Sequence, residues 1–221
     1  MFNIKNFNNK YYKIPTLFPA AGGGNWQDYL QTCEWLQTDG NAYIVLSDID
    51  TSLIRNANVK FTGSSAFGVN YGTGKRLRVL GVNDKYAFNW FNNTNITSNV
   101  STSDTCIITL NDDSDIITFN AETKTSALSR TYINNPLMLF GFNNSGNYET
   151  FGHTPTIFFF ETNLFYLIAC YVKTGQTYID NKSVECAAGT PGMYDLINNV
   201  FRTNDGTGYF TAGPNIKICK K

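Results

Sequence analysis

The chain has 221 residues, a formal net charge of zero, a single histidine, and equal shares, 15% each, of charged and aromatic residues. A chain of that length buries about 70% of its unfolded surface, enough for one full core, so one domain is expected. The charge balance leaves no electrostatic footprint for nucleic acid or an anionic membrane, and the many aromatic, Asn, Thr, Ser and Gly residues describe a β protein rather than a helical one.

Residues 1–25 differ from all that follows. Phe2, Ile4, Phe7, Tyr11, Tyr12, Ile14, Leu17 and Phe18 are spaced among Asn and Lys, punctuated by Pro15 and Pro19, and closed by Ala20-Ala21-Gly22-Gly23-Gly24. The prolines exclude a helix through the second half and the glycines form a hinge, so the segment reads as an extended arm. A disordered tail gains nothing from exposing aromatic rings. The arm is therefore expected to dock on another protein, laying those eight side chains into pockets; the alternative is an edge strand along its own body. Met1 to Asn6 lack an apolar signal core, so the chain is expected to fold in the cytoplasm and to leave it by lysis or within a particle.

From Trp26 onward the chain reads as strands separated by polar turns, a domain running over 26–221. A short helical turn is expected near Trp26–Trp35, where Trp26, Tyr29, Leu30 and Cys33 share a helical spacing. Strands are expected at Ala42–Leu46, Ala66–Tyr71, Leu77–Val82, Lys85–Phe91, Cys106–Leu110 and Ile116–Asn120. Asn83-Asp84 and Asn111-Asp112-Asp113-Ser114 are the hairpin tips. Tyr86, Phe88 and Trp90 alternate onto one face. The polar run Asn92–Asp104 reads as a long loop. Leu137–Phe142, Ile157–Glu161 and Phe165–Tyr171 are almost wholly apolar, as strands buried on both faces are. The longest apolar run, Leu164–Val172, is far too short to span a membrane.

Several stretches resemble chemistry without completing it. Gly68 to Arg76 has the wrong spacing for a phosphate loop and lacks the hydroxyl residue after Gly74-Lys75, which leaves a turn between strands. Asn111–Asp115 could gather oxygens around calcium, but a hairpin tip accounts for the same residues, so no metal and no cofactor is expected. Cys33, Cys106, Cys170, Cys186 and Cys219 are odd in number, lack metal-ligand spacing, and read as reduced, packed thiols. The sequon-like Asn92 and Asn95 have no signal peptide to make them acceptors. A carbohydrate site of stacked rings and amides would draw on Tyr71, Tyr86, Trp90, Asn92 and Asn93; the competing reading buries those rings in the core.

The end of the chain carries the densest pattern. From Gly189 it runs Gly-Thr-Pro-Gly-Met-Tyr-Asp-Leu-Ile-Asn-Asn-Val-Phe-Arg-Thr-Asn-Asp-Gly-Thr-Gly-Tyr-Phe-Thr-Ala-Gly to Gly213: a strand, a turn at Asn198-Asn199, a second strand, a turn over Asn204–Gly208, and a third strand from Tyr209. So many glycines predict backbone at positive φ. With Glu34-Trp35-Leu36-Gln37-Thr38-Asp39-Gly40-Asn41-Ala42-Tyr43-Ile44, this segment resembles the two ends of a concanavalin A-like (LamG-type) domain found in phage virion and gut bacterial surface proteins. The resemblance brackets Cys33 to Pro214 and leaves the middle unmatched. It implies an all-β, jelly-roll-like antiparallel β-sandwich behind the extended arm. It also implies a particle protein resembling a phage head fibre or capsid decoration subunit, whose arm meets capsid or portal and tail components. Copies are expected to self-associate, as a trimer first and a dimer second, because a single short arm anchors weakly. The alternative is a carbohydrate-binding module of a tail fibre or bacterial surface protein, with the arm a mere linker. Some such sandwiches are glycosidases, whose carboxylates follow a Glu-x-Asp-x-x-Glu pattern; no glutamate of this chain begins one, and no enzymatic activity is expected.

Overall fold

The computed structural model describes residues 29–70, 75–125, 129–132, 134–173 and 190–214. The arm over 1–25 with its eight apolar residues, Tyr71, Cys186 and Cys219 lie outside them. The described chain is an all-β sandwich of two sheets, with 11 and 8 strands.

The chain passes repeatedly between the sheets. In the larger sheet, β1 (Tyr29–Thr32), β2 (Leu36–Thr38) and β4 (Asn56–Thr62) come first, with β3 (Ile44–Leu46) crossing to the smaller one. The smaller sheet then takes β5 (Phe67–Asn70), β6 (Arg76–Val82), β7 (Lys85–Asn92) and β8 (Ile96–Ser101). The chain returns for β9 (Cys106–Asn111), β10 (Ile116–Phe119) and β11 (Glu122–Thr125), and crosses again for β12 (Leu137–Leu139), β13 (Phe142–Asn144) and β14 (Asn147–Glu149). It finishes in the larger sheet with β15 (Thr156–Thr162), β16 (Tyr166–Lys173), β17 (Thr190–Asp195), β18 (Val200–Arg202) and β19 (Phe210–Ala212). Pairing is antiparallel except between β5 and β13.

Alternation explains which faces meet. In β4 the buried residues are Ala57, Val59 and Phe61; β5 and β6 contribute Phe67, Val69, Leu77 and Val79. Aromatic rings join the two sheets: Phe61 lies 5.0 Å from Tyr86, and Phe67 lies 4.6 Å from Phe160. Each such pair adds about 0.5–1.5 kcal/mol beyond its buried area. Cys33, Cys106 and Cys170 are buried free thiols, and burial pushes Cys33 and Cys106 up to about 12, which makes them unreactive.

Four expectations are corrected. Of the helical turn expected near Trp26–Trp35, the described part over Tyr29–Thr32 is strand β1, whose Leu30 pairs with Val172 and Thr32 with Cys170, because that stretch of β16 offers an unpaired edge beyond the end of β15, and Trp26 lies outside the described residues. The polar run after Asn92 contains β8, in which Ile96 and Ser98 turn inward while Thr97 and Asn99 stay exposed; alternation survives there with few apolar residues to announce it. The segment Leu137–Phe142 is two strands, broken at Phe140, whose φ is 62°, and at Gly141, where a Cβ would lie 2.3 Å from Met138 Cε. Strands β2, β4, β11 and β14 have no counterpart among the expected ones.

Candidate functional site

Two polar regions stand out, one that closes the fold and one that faces outward. The first is the seam between the early strand β2 and the late strand β19. Strand β19 lies against β2, with Phe210 opposite Thr38 and Ala212 opposite Leu36. Beyond that ladder Gly213 N donates to Trp35 O at 2.8 Å and Glu34 N to Pro214 O at 3.0 Å. Asn204 accepts from Tyr43 N at 3.1 Å and donates to Gly208 O at 2.7 Å, while the Asp205 carboxylate accepts from Val45 N at 2.8 Å. The N–H groups of Asn41 and Ala42 hold the Asp39 carboxyl below its ordinary value.

The glycines of this seam serve close approach, which corrects the expectation of positive φ. Gly192, Gly206, Gly208 and Gly213 all lie outside that region; a Cβ on Gly206 would lie 2.2 Å from Asn41 O and one on Gly192 2.3 Å from Arg202 O. The neighbouring turn is pinned by Asp195, a fully buried carboxylate that accepts from the backbone N–H of Tyr166, Ile197 and Asn198. Arg202 grips Asp48 with two bonds of 2.7 and 2.8 Å, and that contact holds the Asp48 carboxyl low.

The second region is the outer face of the smaller sheet. Register across β14, β13, β5, β6 and β7 lines up Glu149, Phe142, Gly68, Arg78 and Asn89 in one row. The next row is Asn147, Asn144, Asn70, Arg76 and Asn92. A bulge at Phe91, whose φ is 49°, turns Asn92 to the side of Arg76. Side-chain amides chain along the rows: Asn70 donates to Asn144 at 2.9 Å, and Asn144 to Glu149 at 3.1 Å. Gly68 leaves the space that Phe142 fills, with the Arg78 guanidinium 5.1 Å from the ring centroid. Phe151, 56% exposed, stacks 6.5 Å from Phe142 and extends the aromatic surface outward.

The two arginines of this face are its distinctive feature. Arg55, Arg130 and Arg202 each pair with a carboxylate, whereas among the described residues Arg76 and Arg78 pair with none. Burial, and then the charge of Arg76, lower Arg78 to about 10, which leaves it protonated at neutral pH. The Nε of Arg76 and Nδ2 of Asn92 are buried without a hydrogen-bond partner. An unpartnered buried donor costs about 1–3 kcal/mol, a cost that Arg202 Nε and the Tyr194 hydroxyl share near the seam, so what sets this face apart is its two guanidinium charges without a carboxylate.

The residues predicted for carbohydrate are not brought together. Tyr86 and Trp90 are fully buried on the inner side, so they present no ring to a sugar, and Tyr71 lies outside the described residues. The Tyr86 hydroxyl accepts from Gly63 N at 2.8 Å and reaches the carbonyls of Thr102 and Asp104. Asn92 is the member that reaches the outer rows, though only 4% exposed, and Asn93 is exposed just beyond them. The hairpin tip considered for calcium is instead ion-paired: Arg130 lies 3.2 Å from Asp112 and 2.6 Å from Asp115 while stacking on Trp90, and the Tyr132 hydroxyl donates to Asp112. Among the described residues no cluster of His, Cys, Asp or Glu suits a metal, and no helix is long and apolar enough to cross a membrane.

No family model matches this chain, and neither the curated proteins nor the solved structures contain a match. The site rests on its geometry. Sequence reasoning passed over Arg76, Arg78, Asn70, Asn144 and Phe151. A signal for the arginines exists in Arg76-Leu77-Arg78-Val79, where two charges alternate with two core residues and must share the outward face.

Proposed function

We propose that this chain is a structural subunit of a phage particle, a head fibre or capsid decoration protein, that carries its sandwich outward for adhesion. The observation that carries the reading is the hydrogen bond from Glu34 N to Pro214 O at 3.0 Å. It falls at the limits of the two segments that resemble the concanavalin A-like virion domain and makes them one interlocked unit rather than two unrelated similarities. In this reading residues 1–25 are the arm that meets capsid or portal and tail components.

The outer rows suit binding rather than hydrolysis. They carry one carboxylate, Glu149, already accepting from Asn144, where glycosidic cleavage needs two across the bond. Copies held as a trimer, or as a dimer, would present several such faces and gain avidity. In the other reading the sandwich is a carbohydrate-binding module of a tail fibre or bacterial surface protein, and the arm only tethers it. Phage carrying a deletion of Met1–Gly24 separate the two. Particles that lack the protein are the expected result, and particles that incorporate it at the normal level overturn the assignment.

A further inference from the structure

We infer that the outer face of the smaller sheet recognises carboxylate-bearing oligosaccharides, with Arg76 and Arg78 receiving the acid group and the Asn147–Asn144–Asn70 row the hydroxyls. The inference rests on reading this face as the adhesive surface, not on the particle assignment.

Charge selects the ligand class. Two like charges on alternate residues of β6 repel one another, and the other described arginines are neutralised within the fold. A bound carboxylate would supply the missing counter-charge through charge-assisted hydrogen bonds, which are about twice as strong as neutral ones. Shape and polarity select a sugar over a bare anion. Phe151 is 56% exposed and offers a ring face for apolar C–H surfaces. The amides of Asn70, Asn144 and Asn147 follow in register along one row, at the strand spacing of about 4.8 Å, close to the width of a sugar ring. Asn144 already accepts from Asn70 and donates to Glu149, so hydroxyls would meet the exposed Asn147 amide and the hydrogens and lone pairs that those two bonds leave. In the neighbouring row the Phe142 ring fills the space over Gly68 and carries the apolar surface from Phe151 toward Arg78.

The test is binding of the purified full chain to immobilised sialyllactose and trigalacturonate, with lactose and a polyglutamate peptide as comparisons. At least one acidic sugar should bind, and that binding should weaken as salt is raised and fall about tenfold or more in Arg76→Gln and in Arg78→Gln. Lactose and polyglutamate should not compete. Should Arg78→Gln fail to fold, Arg76→Gln and the salt series still decide. Silence from both acidic sugars, equal binding of lactose, equal binding of polyglutamate, or binding that survives the arginine changes would each overturn the inference. A silent sugar assay beside normal loss of the arm-deleted protein from particles sinks this inference alone. A positive assay beside unchanged incorporation sinks only the particle assignment.

Discussion

The seam between β2 and β19 and the outer face of the smaller sheet are built from the same kinds of residue, asparagines, acids, arginines and glycines, yet they spend their polar groups differently. At the seam the amides and charges are matched within the fold, Asn204 with Tyr43 N and Gly208 O, Asp205 with Val45 N, Arg202 with Asp48, although Arg202 Nε and the Tyr194 hydroxyl are left without a partner. On the outer face the amides are chained to one another, but Arg76 and Arg78 are left without a carboxylate and Arg76 Nε and Asn92 Nδ2 without any acceptor. Polar groups matched within the fold specify a structure; two guanidinium charges without a counter-charge on a half-buried surface can take one from a ligand. Changes at the seam should therefore cost stability, and changes on the face should cost binding.

The largest effect is expected from Asp195→Ala, which strands three backbone N–H groups and removes a buried acid near Arg202. A loss of about 3–5 kcal/mol in chemical denaturation is anticipated, and Asp195→Asn should recover part of it. A loss under about 1 kcal/mol would show the seam to be less closed than its hydrogen bonds suggest. Gly206→Ala comes next, because its Cβ would press on the Asn41 carbonyl and the Tyr43 ring. About 3 kcal/mol, read as a lowered urea midpoint, is the expected cost.

Acid should act on the seam more gently. Asp39 and Asp48 are held below the ordinary value of 3.8, so their contribution is complete above that value and is lost as pH falls through their folded values. Melting temperature should be flat around pH 5 and decline below about 3.8, with Asp48→Asn flattening part of that decline. A decline that begins near neutrality would point to other groups. Smallest is Arg76→Gln, which breaks no ion pair and relieves a repulsion; stability should stay within about 0.5 kcal/mol of the parent. A cost of several kcal/mol would mean that the outer face is structural after all, and would erase the contrast.

Much of the strand pattern was readable because it depends on local signals. Asn83 and Asp84, with φ of 49° and 58°, form the tight turn that their residue types announce, and Asn199 at 58° does the same between β17 and β18. Strands rich in Asn, Ser and Thr were not readable in this way: β8 and β11 owe their extended form to the neighbours they pair with, β7 and β10. The site was readable only in fragments. Alternation in β6 turns Arg76 and Arg78 outward, but no spacing in the chain relates Asn70 to Asn144 or Phe142 to Phe151. Tyr86 and Trp90 were readable as a pair sharing a face, and the face they share is the inner one.

By itself the sequence determined the all-β class, the hairpin tips and the two-residue alternation that separates core from surface, since each follows from backbone sterics and local burial. Tertiary structure alone decided that β2 and β19 meet, that the late glycines serve contact rather than curvature, and that asparagines from β5, β13 and β14 form one row. Those relations join residues far apart in the chain, and sheet register, which no local preference encodes, sets them.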